Sequence, residues 1–107
     1  MNTEDTSAAP IRSALADDPD LAPLVEMFVA EMPQRVETLQ GFKAAEDWQG
    51  VARIAHQLKG AAGSYGFHGL TPYAARLEAA IRHEQAHDRA AALLEALVHA
   101  CGRICAP

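Results

Sequence analysis

Apolar residues recur along this chain at steps of three and four, the period of a helix with one buried face. Strand-like alternation appears nowhere. The longest stripe runs through Leu21, Leu24, Val25, Phe28, Met32, Val36 and Leu39. Asp20 is its expected N-cap and Gly41 a weak point near its end. Pro33 falls inside the stripe, yet the apolar register continues across it, so the pattern predicts one kinked helix rather than two. A second segment runs from Trp48 to about Tyr65, capped by Asp47 and stopped by Gly66. Thr71-Pro72 reads as a cap followed by proline at the first helical position. The helix it opens reaches about Glu84, with Tyr73, Ala74, Leu77 and Ile81 inward. Asp88 caps the last helix, whose buried face is Ala90, Leu94, Leu97, Val98, Cys101 and Ile104. A short extra helix is expected over residues 11–16, stopped by Asp17-Asp18-Pro19.

Four substantial helices with short connections predict an all-α fold, an antiparallel four-helix bundle with the short N-terminal helix across one end. Residues 1–9 read as a disordered lead-in and residues 10–107 as the domain. The initial Met and this lead-in favour a stand-alone protein over the end of a longer kinase.

Composition narrows the classes. A chain of 107 residues is one domain by size. Nine Lys and Arg against fourteen Asp and Glu give a formal charge of −5, which leaves no basic stripe to neutralise the phosphates of a nucleic acid. No apolar run is long enough to span a bilayer, and MNTEDTSAAP lacks the charged and apolar regions of a signal peptide. Cys101 and Cys105 lie on one helical pattern and make no disulfide framework, so a reducing cytoplasm is the expected location.

The candidate chemistry lies in the segment AHQLKGAAGSYGF. On a helical wheel of about 100° per residue, Val51, Ile54, Leu58, Ala61, Ala62 and Tyr65 cluster opposite His56 and form the core face. Lys59, Gly60 and Gly63 flank His56 on the outward side. Gly is poor in a helix interior, and an ordinary solvated histidine leaves two glycines there unexplained. Small residues on an outward face make sense if something large must approach the backbone. An imidazole near neutral pH has much of its population unprotonated and can attack a phosphoryl group, holding it as a phosphoramidate. Lys59 can offset part of that group's charge. No Gly-rich nucleotide loop is present, nor an acidic cluster for Mg²⁺, so the domain is expected to carry a phosphoryl group but not to draw one from ATP.

His56, Leu58, Lys59, Gly60, Gly63, Ser64 and Gly66 resemble the pattern of the histidine-containing phosphotransfer (HPt) domain family of bacterial phosphorelays. The resemblance implies a four-helix bundle with an accessory helix. It makes His56 the phosphoacceptor through Nε2, Lys59 a contact to the phosphoryl oxygens, and Gly60 the clearance for a partner's active site. Gln57, Gly63 and Ser64 would share the partner-binding face. Glu78 occupies the place from which the family orients the histidine's other ring nitrogen, where an acceptor at Nδ1–H leaves Nε2 free to attack. The implied partners of this monomer are response-regulator receiver domains and a hybrid sensor histidine kinase. The implied cofactor, Mg²⁺, comes with the receiver, and the domain has none of its own.

Other groups point less clearly to chemistry. His83 and His87 have metal-ligand spacing but straddle a predicted helix end without a third ligand. His99, Cys101 and Cys105 read as packing, and Trp48 and Tyr65 as core or rim. The competing function is a helical adaptor that binds a partner without phosphoryl transfer, which an intact His-x-x-Lys-Gly face argues against. A metal-binding bundle would need ligands converging from several helices.

Overall fold

The computed structural model describes residues 9–106, so the expected disorder of residues 1–8 lies outside the described residues. Four helices follow one another: α1 (Ala22–Ala44), α2 (Trp48–Ser64), α3 (Thr71–Arg82) and α4 (His87–Cys101). Connections of a few residues make consecutive helices antiparallel. The most extensive contact is between α2 and α3, followed by α3 with α4 and α1 with α2, and a looser seam between α1 and α4 closes the bundle.

Helix α1 runs unbroken through Pro33, as the continuous stripe predicts. Val25, Phe28, Met32 and Leu39 are its buried residues. Leu24 is a correction to the predicted stripe, since it remains 46 % exposed. Val25, one residue on, is fully buried and takes the inward position. The α1–α2 connection closes tightly where the Phe42 ring lies against Gly50, so closely that a Cβ there would meet it.

Helix termini follow the sequence only where a side chain does the capping. Asp47 accepts from the Gly50 backbone N–H at 2.9 Å and opens α2. Gly66 stops it at φ +81, a left-handed conformation that costs glycine no Cβ clash. The other three expected caps are corrected. Leu21, not Asp20, precedes α1, and the Asp18 carbonyl takes the Leu21 and Ala22 N–H groups. Leu70 precedes α3, while the Thr71 hydroxyl turns back to the Phe67 carbonyl and Pro72 falls in the first turn. Ala86 precedes α4 and Asp88 sits in its first turn, favourably placed for the helix dipole. Helix α3 also stops before Glu84, and Gln85 takes φ 50 in the turn.

Residues 11–16 form no helix; they are an extended strap followed by turns. The Ile11 N–H donates to the Arg103 carbonyl and its own carbonyl accepts from Cys105, a bridge to the end of the chain. Ser13 donates to the Tyr65 carbonyl, and Ala14 N–H to that of Gly66. These long-range bonds occupy the groups that a local helix would have paired.

Candidate functional site

The site lies on the α2–α3 face. Ala52, Ala55 and Ala62 on α2 and Ala74 and Ala80 on α3 are buried. Alanine keeps the distance between packed helices short. Ala52 and Ala55 widen the buried face of α2 beyond the predicted stripe. Across that contact Glu78, itself a buried residue of α3, reaches His56.

The Glu78 carboxylate is the hub. Its Oε2 lies 2.9 Å from His56 Nδ1 and accepts from Arg82 at 2.7 Å. Its Oε1 accepts from Lys59 Nζ at 2.8 Å. The Glu78 side chain is 9 % exposed, whereas that of His56 is 59 % exposed. One imidazole edge is therefore held by a buried anion and the rest of the ring meets solvent. A neutral ring whose Nδ1 faces a carboxylate carries its hydrogen there, which leaves the Nε2 lone pair unused.

Burial by itself would raise the Glu78 pKa. The Lys59 ammonium, through its hydrogen bond and its charge, and then His56, outweigh burial and hold the carboxyl below its ordinary 4.5. A depressed folded-state pKa gives stability that is whole above the unfolded value and is lost as pH falls through the folded one. The melting temperature of the protein should accordingly drop more steeply from about pH 5 to about pH 3 than that of Glu78→Gln. Parallel melting curves would contradict this ionic role.

The outward face of α2 beside the histidine is open. A Cβ added at Gly60 or Gly63 would meet nothing within 4 Å, so no internal packing demands glycine at either position. Gln57 and Ser64 are exposed on the same helix. His56 and Lys59 are thus each in contact with Glu78, while Gln57, Gly60, Gly63 and Ser64 supply surface on the same helix. Arg82 is the participant that sequence reasoning missed. Its i, i+4 spacing from Glu78 was the available signal.

The remaining candidates lie elsewhere. The His87 ring stacks on Trp48 at 5.2 Å, and Tyr65 stacks on Phe28 at 5.1 Å. Among the described residues, no three His, Cys, Asp or Glu side chains gather as a metal site. Cys101 is a buried thiol whose pKa is pushed up to about 12 by burial, which leaves it inert as a nucleophile. Cys105 lies beyond α4, with its Sγ 3.7 Å from the Ile11 carbonyl. No helix among the described residues is long and apolar enough to cross a membrane.

Comparison with protein families matches the chain to the Hpt domain over residues 23–106. No curated protein and no solved structure matches significantly.

Proposed function

The chain belongs to the Hpt domain family, phosphocarriers of phosphorelays that work with receiver domains and histidine kinases, and from that premise we propose that His56 is its phosphoacceptor. The donor is the aspartyl phosphate of one receiver domain, and a second receiver takes the group onward. The observation that carries this reading is the half-exposed ring of His56, anchored through Nδ1 at 2.9 Å by a nearly buried carboxylate.

The Nε2 lone pair forms the N–P bond, and the P–O bond to the receiver's aspartate breaks with its electron pair on the departing carboxylate. Nδ1 keeps its hydrogen, so the ring gains positive charge beside Glu78, which stabilises it. In onward transfer a second aspartate forms the new P–O bond and the N–P electrons return to Nε2. Mg²⁺ on this reading belongs to the receiver and offsets charge on the phosphoryl oxygens. Lys59, one helical turn from His56, supplies this chain's own cation. The setting we propose is a monomer in a bacterial cytoplasm, fed by a hybrid sensor kinase.

A receiver domain phosphorylated on aspartate should transfer label to this protein in acid-labile, base-stable form. A protein that binds the receiver but takes no label would instead be an adaptor.

The glycines give a separable test. Gly60→Ala should raise stability by about 0.5–1 kcal/mol in thermal melts, through helix propensity at an open position. Gly60→Gln should keep the fold and slow transfer, because the longer side chain stands where the receiver approaches. Wild-type transfer by Gly60→Gln would remove the clearance role from this position.

A further inference from the structure

Lys59 is already committed in this structure. Its ammonium rests on Glu78 Oε1 at 2.8 Å, away from any role at Nε2. If Lys59 were the only cation on Glu78, turning it toward a new anion would strand a nearly buried carboxylate. Breaking such a pair is strongly unfavourable. Arg82 changes that balance. It donates to Glu78 Oε2 at 2.7 Å, so one carboxylate is matched by two full cations.

We propose that Arg82 is a positioning residue that keeps Glu78 paired and aimed at His56 Nδ1, so that Lys59 can leave Oε1 for the phosphoryl oxygens on Nε2. The inference rests on the reading of His56 as phosphoacceptor. Arg82 stands four residues from Glu78 on the same helix, a spacing at which side chains meet without disturbing the α2–α3 contact. A guanidinium never loses its charge in this setting and makes strong charge-assisted bonds to carboxylate. The two cations are comparably exposed, 38 % for Arg82 and 37 % for Lys59, so burial does not fix Lys59 in place. The division of labour follows from the oxygens. Arg82 shares Oε2 with the histidine, and among the described residues Lys59 holds Oε1. Departure of Lys59 therefore leaves the orienting oxygen and its counter-charge undisturbed.

The test is a double-mutant cycle on the rate of transfer from a phosphorylated receiver, with melting curves as the control for folding. Arg82→Ala should slow transfer by roughly tenfold, the loss of one charge-assisted contact. Arg82→Lys should restore most of the rate, and Arg82→Gln, which keeps a hydrogen-bond donor without the charge, should not. In the Arg82→Ala background Lys59 cannot leave Glu78, so adding Lys59→Ala should slow transfer by much less than the same change slows the wild-type protein. A merely structural arginine would slow transfer without such coupling. Losses that multiply in the double variant, or wild-type transfer by both Arg82→Ala and Arg82→Gln, would overturn the proposal. Failure of the underlying reading looks different: the wild-type protein itself takes no label on His56.

Discussion

Replacing His56 by Gln should abolish phosphoryl acceptance from a receiver domain and leave the bundle folded. The side chain is 59 % exposed and its ring is hydrogen-bonded to Glu78, which retains Lys59 and Arg82 when the imidazole is gone. Folding stability should therefore change little, since exposed substitutions rarely move it by more than about 0.5 kcal/mol. The chemical loss is complete, because an amide nitrogen has no lone pair fit to attack phosphorus. Circular dichroism and melting check the fold, and acid-labile labelling checks the transfer. Label persisting on the variant, at His68, His83, His87 or His99, would sink the assignment.

Lys59→Ala should be the next most damaging change. It removes the cation one turn from His56 and leaves Arg82 alone to balance Glu78. A charge-assisted contact is worth about 1.5–3 kcal/mol, so transfer should slow by about tenfold to a hundredfold, toward the lower figure because the site is open to solvent. The phosphohistidine should also hydrolyse faster. Glu78→Ala is expected to be milder in transfer, since the phosphoryl group keeps its counter-charges and loses only the group that orients the ring. If Lys59→Ala transfers at the wild-type rate, Lys59 serves Glu78 alone.

What the sequence disclosed follows from which interactions are local. Helical periodicity and the Asp47 and Gly66 signals are written within a few residues, and they place α2 and its outward histidine closely. Helices α1, α3 and α4 begin with no side-chain cap bond, so Asp20, Thr71 and Asp88 misled. Residues 11–16 carry a plausible local pattern, but their backbone bonds to Gly66, Arg103 and Cys105 and the Ser13 hydroxyl's bond to the Tyr65 carbonyl reach partners that no local window contains. Leu24 fits the period and fails on packing, because periodicity defines a stripe and the neighbouring helices decide how much of it is covered.

The site divides the same way. The wheel alone puts His56, Lys59, Gly60 and Gly63 on one face. The place of Glu78 depends on the register of α3 against α2, which only the family resemblance could suggest. Arg82 escaped notice because an i, i+4 pair at a helix end is ordinary until its carboxylate proves to be buried.

The central claim is that Glu78 holds Nδ1 so that Nε2 takes the phosphoryl group, and the bond itself can be read. The protein, phosphorylated by a receiver domain and labelled with ¹⁵N at histidine, should show by NMR a phosphorus bonded to Nε2 of His56, with a proton retained at Nδ1. Phosphorus on Nδ1, on another residue, or nowhere in the chain would contradict the account.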